Sequence, residues 1–510
     1  MKRIFCMLAL VLTLSAWASP EQHLVILTTN DTHSQIDPDF DGKGGVLRRR
    51  ALIDSVRGAE RFVLLCDAGD AVQGTLYFTL FGGEVETALI DSLGYDVCTL
   101  GNHEFDNGME SLARNYSRMS TPRVSANYDF TCTPLEGLFV PYIVKEYGGR
   151  RIAVMGINLL PEGMIAPANC EGIVYSNSAE RANSLASQLK NSGEADFVIA
   201  LTHVGYKGGN DRNPSDVDIV AGGSDIDLVI GGHSHTVVNP ADAGSEAWMA
   251  VNASGREIPV TQTGAQGKNV GYIVVDLDSL RVTEYKLLPV DKRWDSRAQY
   301  AATVAWLAPY KASVDSLMNT PIIHSTLSHE RGSAGIENFT ADAVLAIARQ
   351  LHPGHIDMSL MNRGGIRQPM PCGDVSEGVI RSMYPFDNRL VILEISGEQL
   401  LESLKIMATR GGDPVSAGVE VEYTKEAGSK AEIKSATIDG VEIDLSSTYT
   451  VATIDYLANG GDYMTPLTGC ERLYEDESKI GDRIVEYIKT ISARGEVVDP
   501  SIEPRMVEVR

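Results

Sequence analysis

The sequence predicts two consecutive α/β domains, a larger layered one over residues 19–290 and a smaller one over residues 321–510, joined by a helical connector or hinge at 291–320. Three observations carry this. A chain of 510 residues exceeds what one hydrophobic core usually fills. From residue 23 to about 290, strand-like apolar runs alternate with amphipathic segments at 45–56, 83–92 and 178–192, the pattern of sheets covered by helices. A charged, helix-compatible stretch from Asp291 to Asn319 follows, punctuated by Pro321. Beyond it, helical segments (339–350, 397–409, 477–493) mix with the strand runs LVILEIS, GVEVEY and YTVATIDY.

The first 18 residues combine a basic pair, Lys2 and Arg3, an apolar stretch and a small-x-small pattern at Ala16 and Ala18. This reads as a secretory signal peptide with a mature start near Ser19. A membrane anchor is the weaker reading, because the apolar stretch is shorter than the ~20 residues a spanning helix needs and polar residues follow at once. The expectation is an extracytoplasmic protein, periplasmic or secreted, with no membrane anchor in its mature chain. Losing Lys2 and Arg3 moves the formal charge from −24 to −26, which disfavours nucleic-acid polymers as partners. Cys66, Cys98, Cys132, Cys170, Cys372 and Cys470 are widely spaced and lack the CxxC pairing of a zinc site, so buried thiols and disulfides both stay open.

Five apolar runs end on metal-binding side chains: LVILTTN on Asp31 and His33, FVLLC on Asp67 and Asp70, VCTL on Asn102 and His103, FVIAL on His203, and LVI on His233 and His235. In open α/β sheets the loops beyond the strand carboxyl ends converge on one crevice, so these residues are expected to meet. A lone His or Asp would more often be a satisfied polar group or a helix cap. Five of the chain's 10 histidines falling after such runs point instead to a metal-dependent hydrolase. The mix of imidazole, carboxylate and amide suits Zn, Mn, Fe or Co better than Ca or Mg.

In order, DxH at 31–33, GD at 69–70, GNHE at 101–104, THVG at 202–205 and GHSH at 232–235 resemble the calcineurin-like metallophosphoesterases, and among them the two-domain secreted 5′-nucleotidases. The resemblance covers nearly the whole mature chain. It implies a four-layer α/β/β/α sandwich followed by a smaller α/β substrate-binding domain. It also implies two divalent metal ions, Zn or Mn, sharing the Asp70 carboxylate. Asp31, His33, Asp70 and His235 would hold one ion, and Asp70, Asn102, His203 and His233 the other. Such a pair would acidify a bridging water to hydroxide for in-line attack on a phosphomonoester. His103, with Asp106 three residues on, would donate a hydrogen bond or a proton near the departing oxygen. Several bacterial relatives carry Gln where this chain has His235, and imidazole is the better ligand.

NRGGIR at 362–367, YPFDN at 384–388 and DYLANGGDY at 455–463 resemble the family's substrate-binding segments. Taken singly, their aromatics and glycines would be core and turn residues. Carried over, Asn362 and Arg367 would contact base or phosphate, Phe386 and Tyr456 would sandwich the base, Asp462 would accept from the ribose hydroxyls, and Arg331 would assist. The chain departs from the common spelling at Arg363, at Tyr456, where stacking survives the hydroxyl, and in the IENFTADAV segment around Glu337; the extra Arg363 bears on preference among mono-, di- and sugar-linked nucleotides. The implied function is an exported dinuclear-metal 5′-nucleotidase acting on small nucleotides. The alternatives are a 2′,3′-cyclic nucleotide phosphodiesterase, a nucleotide-sugar hydrolase or a sulfur-compound hydrolase on the same scaffold, and more remotely a non-catalytic nucleotide-binding module. Oligomeric state is not legible.

Overall fold

A computed structural model describes residues 22–39, 41–426 and 428–509. The expected signal peptide at 1–18 lies outside the described residues.

Two facing sheets build the first domain. One has five strands in the order Arg281–Pro289, Asn269–Asp276, His23–Thr29, Val63–Asp67 and Val97–Cys98, the last three parallel. The other has six, Met249–Val251, Glu257–Thr261, Leu228–Ile230, Phe197–His203, Arg150–Asn158 and Tyr142–Tyr147, the middle four parallel. Side chains alternate faces along a strand. In His23–Thr29, Leu24 and Ile26 therefore join the core that holds Val154, Phe197 and Ile199 of the second sheet. Val25 and Leu27 instead join Leu52, Ile53 and Leu89 from the helices Val46–Ala59 and Glu84–Leu93. Helices Ser178–Asn191 and Asp216–Ala221 cover the second sheet through Leu185, Leu189 and Ile219. Each such buried side chain contributes roughly 1.5 to 3 kcal/mol. The layers run α/β/β/α, as the resemblance implied.

Strand register brings the functional loops together. Thr29 pairs with Asp67 and Asp67 with Cys98, while Asn158 pairs with His203 and Leu201 with Ile230. The carboxyl ends of the parallel strands are thus level, and the loops that leave them share one edge.

The second domain has a four-stranded sheet ordered Met358–Ser359, Thr448–Ile454, Arg389–Ser396 and Glu471–Lys479, and another ordered Val441–Glu442, Glu432–Ile438, Val419–Thr424 and Met506–Glu508. A two-stranded ribbon, Pro321–Ser325 with Gly373–Ser376, stands beside them. Helices Ala334–Leu351, Gly397–Thr409 and Ile480–Ala493 pack into a core with both four-stranded sheets. Two boundaries differ from expectation. The helix expected from 339 starts at Ala334, because Ile336 and Phe339 are both buried and carry its apolar face toward the core. The helix expected from 477 starts at Ile480, because Lys479 still pairs with Arg389 across the sheet.

The expected connector at 291–320 forms a short turn, Lys292–Trp294, and then the helix Ala301–Met318 with Pro309 inside it. Leu307 and Val314 enter the first domain's core, Tyr310 meets Phe81 edge-on at 4.9 Å, and Lys311 Nζ lies 3.1 Å from Asp37 Oδ2. Met318 packs against the cores of both domains. Among the described residues no helix is long and apolar enough to cross a membrane, and the six cysteines Cys66, Cys98, Cys132, Cys170, Cys372 and Cys470 are free thiols.

Candidate active site and metal centre

The five strand-end loops of the first domain do converge. Asp31, His33 and His235 form one cluster able to hold a metal ion, and Asp70, His203 and His233 form another. His33 Nε2 and His235 Nε2 face each other at 2.8 Å, with Asp31 Oδ1 3.4 Å from the latter. In the second cluster His203 Nε2 lies 3.1 Å from Asp70 Oδ2, and Asn102 Oδ1 is 3.0 Å from His233 Nδ1. Asp31 Oδ1 stands 3.9 Å from His203 Nε2, so the two clusters adjoin.

The backbone accepts strain to do this. Asp31, His33, Asp70, His233 and His235 all have left-handed φ, between 46° and 79°, a region that costs of order 1 to 3 kcal/mol for a non-glycine residue. Gly101 permits the close approach: a Cβ there would overlap Asp70 Oδ1.

A metal ion fits the donors present. His203 Nδ1 donates to the Ala68 carbonyl at 2.7 Å, which leaves the lone pair on Nε2. That atom is fully buried and faces the Asp70 and Asp31 carboxylates, with no donor to its lone pair among the described residues. Burial pulls the His203 imidazole down, yet Asp70 and Asp31 outweigh it and push it up to about 10. The site therefore attracts positive charge, as a proton or as a cation. Burial drives His233 down to about 4 and His33 downward too, keeping both in the neutral form that ligates metal.

His103 Nδ1 donates to Asp106 Oδ2 at 2.9 Å, and His103 N donates to Asp70 Oδ1 at 2.9 Å. Burial works against charge on the His103 ring, but Asp106 and Asp70 prevail and raise it above its ordinary value. A protonated His103 is suited to supply a proton or a strong hydrogen bond.

The second domain faces this cluster across a cavity of about 650 Å³. Asp70, Asn102, His103, His233 and His235 line one side, and Asn362, Arg367, Phe386, Tyr456 and Asp462 the other. The Phe386 ring lies 5.9 Å from the His103 ring, and Arg367 Cζ is 5.8 Å from the Phe386 centroid. Tyr456 Oη reaches the Gly163 carbonyl of the first domain at 3.3 Å. Burial and then Arg331 bring Arg367 down to about 10, still cationic near neutrality. Arg331 itself lies with Arg367, His33 and His235 around a smaller recess of about 130 Å³.

The chain matches the calcineurin-like phosphoesterase family over residues 24–237 and the 5′-nucleotidase C-terminal domain family over residues 314–469. The chain belongs to the two-domain 5′-nucleotidase family. It is 27% identical to the 5′-nucleotidase of Rattus norvegicus, over 98% of this chain and 93% of that one. It is also 27% identical to the trifunctional nucleotide phosphoesterase protein YfkN of Bacillus subtilis, over 95% of this chain but only 35% of that longer protein. The solved 5′-nucleotidase precursor from Thermus thermophilus superposes with a TM-score of 0.83 at 27% identity, covering 96% of this chain and 99% of that one. The fold and family make this chain a metal-dependent phosphoric ester hydrolase.

Supporting residues of this 5′-nucleotidase fold escaped the sequence reading. The Glu104 carboxylate accepts from Asp70 N at 3.0 Å and Ala71 N at 2.9 Å, and so fixes the left-handed turn at Asp70. Asn30 Nδ2 donates to Asp31 Oδ2 and to the Gly264 carbonyl. Gln262 Nε2 donates to the Gly232 carbonyl at 2.8 Å while its Oε1 accepts from Thr236 N at 3.1 Å, bracketing the loop of His233 and His235. Glu104 and Asn30 adjoin the motifs and were readable; Gln262 carries no local signal.

Proposed function

We propose that the chain is an exported dinuclear 5′-nucleotidase that hydrolyses nucleoside 5′-phosphates to nucleoside and phosphate. What supports this reading is one cavity bordered on one side by two metal-ligand clusters and on the other by a cation and two aromatic rings. Asp31, His33, Asp70 and His235 would hold one divalent ion and Asp70, Asn102, His203 and His233 the other, with Zn or Mn suited to the mixed donors. When bound, such ions supply an acidified water and steady the attacking and leaving oxygens of a phosphoryl group.

The chain's own residues do the rest. Arg367, assisted by Arg331, grips phosphate oxygens and offsets the acidity around them. Phe386 and Tyr456 hold the base by stacking, which tolerates different bases. Asp462 accepts from the ribose. His103, oriented by Asp106, delivers a hydrogen bond or proton to the departing 5′ oxygen. The domains are taken as 19–290 and 321–510. The 291–320 connector is taken as a hinge: Leu307 and Val314 of the helix Ala301–Met318 dock on the first domain while Met318 also meets the second domain's core, so bending would concentrate after Met318, at Asn319 and Thr320.

The test is phosphate release from AMP, UMP, ADP, UDP-glucose and 2′,3′-cAMP by mature protein, first metal-stripped and then resupplied with Mn²⁺ or Zn²⁺. Release from 5′-monophosphates should need metal and fall about 10² to 10⁴-fold in His103→Ala with metal content unchanged. Saturable nucleotide binding without release under either metal would refute the reading and favour a binding module.

A further inference from the structure

Asp462 follows the short helix Asp455–Ala458 in left-handed backbone, φ 54°. Its two carboxylate oxygens are used unequally. Oδ2 accepts from Asn362 Nδ2 at 2.7 Å and from Arg410 Nη2 at 2.8 Å. Arg410 Nη1 also donates to the Asp462 backbone carbonyl at 3.2 Å, so one planar guanidinium ties the side chain to its own main chain. Oδ1 has a single contact among the described residues, the Tyr456 hydroxyl at 3.3 Å. Asn362, only 6% exposed, must turn its amide nitrogen to the carboxylate, and its Oδ1 is left buried without a partner among the described residues. Asn362, Tyr456 and Asp462 line the cavity; Arg410 stands behind them, its Nε 3.6 Å from Asp413 Oδ2. Asp413 Oδ1 in turn accepts from Arg363 N at 2.8 Å.

We propose that Arg410 is a positioning residue that occupies Asp462 Oδ2 and so presents Oδ1 to the vicinal hydroxyls of a ribose, selecting 5′-ribonucleotides over nucleotides without free 2′ and 3′ hydroxyls. This deepens the 5′-nucleotidase reading and rests on it. Without Arg410 the carboxylate is free to rotate on its loop, and the acceptor loses its aim while the phosphate and base contacts stay intact. A ligand with no hydroxyls gives Oδ1 no new partner in either case, so it should not register the loss.

The experiment compares AMP with 2′,3′-dideoxy-AMP in steady-state kinetics of the mature, Mn²⁺-loaded chain. The native protein should show a KM for AMP about tenfold or more below that for the dideoxy analogue, the size of one hydrogen bond to a charged group. Arg410→Ala should raise the AMP KM to nearly the dideoxy level, leave kcat within about twofold and leave the dideoxy KM unmoved. Arg410→Lys should recover part of the difference, and adding Asp462→Ala to Arg410→Ala should cost nothing more. If Arg410→Ala lowers the melting temperature so far that it cannot be assayed, Arg410→Gln takes its place with the same expectation. Asp462→Ala losing the discrimination while Arg410→Ala keeps it would overturn the positioning role alone. Asp462→Ala keeping the discrimination would overturn the ribose contact beneath it. Equal KM increases for both substrates would make Arg410 merely structural and overturn the proposal.

Discussion

The two sides of the interdomain cavity are built differently. On the first domain's side the proposed ligands sit just past level strand ends, with Asp31, His33, Asp70 and His203 all 4% exposed or less and much of the backbone left-handed. On the second domain's side Arg367, Phe386, Tyr456 and Asp462 come from loops and short turns and are only partly buried. A cation of fixed geometry rewards rigid, strained, dry donors. A nucleotide, the proposed substrate, must enter and leave and is better met by groups that hold one another across a loop, as Arg410 and Asn362 hold Asp462.

The largest expected effect breaks the rigid side. Asp70→Asn takes a carboxylate from between His203 and the His103 amide. It should reduce activity by more than the ~100-fold typical of outer-shell changes and lower bound metal as measured by elemental analysis. Unchanged metal stoichiometry with near-native turnover would show that Asp70 is not shared by the two clusters.

Next comes the adaptable side. Phe386→Ala and Tyr456→Ala should each cost about 1 to 3 kcal/mol in kcat/KM for AMP. Neither should change metal content, because neither side chain belongs to the ligand clusters. Activity on AMP indifferent to both would remove the base sandwich and leave a general phosphoesterase.

The smallest effect concerns the scaffold beneath the rigid side. Glu86 is buried against the Ser34 hydroxyl, and burial pushes its carboxyl up to about 7 from an ordinary 4.5. A carboxyl whose pKa is raised on folding binds its proton more tightly in the native state. Its destabilisation is absent below about 4.5, grows as pH rises, and is complete above 7. In metal-free protein, Glu86→Gln should leave the unfolding free energy unchanged at pH 4 and raise it at pH 8, by up to roughly 3 kcal/mol. A pH-independent difference between the two proteins would mean that the Glu86 carboxyl titrates alike in the folded and the unfolded chain.

How much was legible follows from the same contrast. The candidate ligand set could be read because a strand stops on a residue type with few other reasons to be there, and parallel pairing then aligns the stops, as with Thr29 beside Asp67 and Asp67 beside Cys98. The proposed substrate groups were legible only through resemblance, since an isolated Phe386 or Tyr456 has no local pattern that separates a stacking ring from a core ring. The connector was recognised as helical, but its docking through Leu307 and Val314 was not, because a helix with Pro309 inside and apolar residues on several faces announces no single partner.

The sequence by itself determined the alternation of strands and helices, the apolar faces that pair the two sheets, and the chemical identity of the candidate metal donors. These depend on residue type and short-range periodicity. Only the tertiary structure decided that Gln262 brackets the loop of His233 and His235. It also decided that Arg410 and Asn362 share one oxygen of Asp462, 52 and 100 residues away along the chain. Contacts of that kind are set by how separate elements pack, and no local periodicity encodes them.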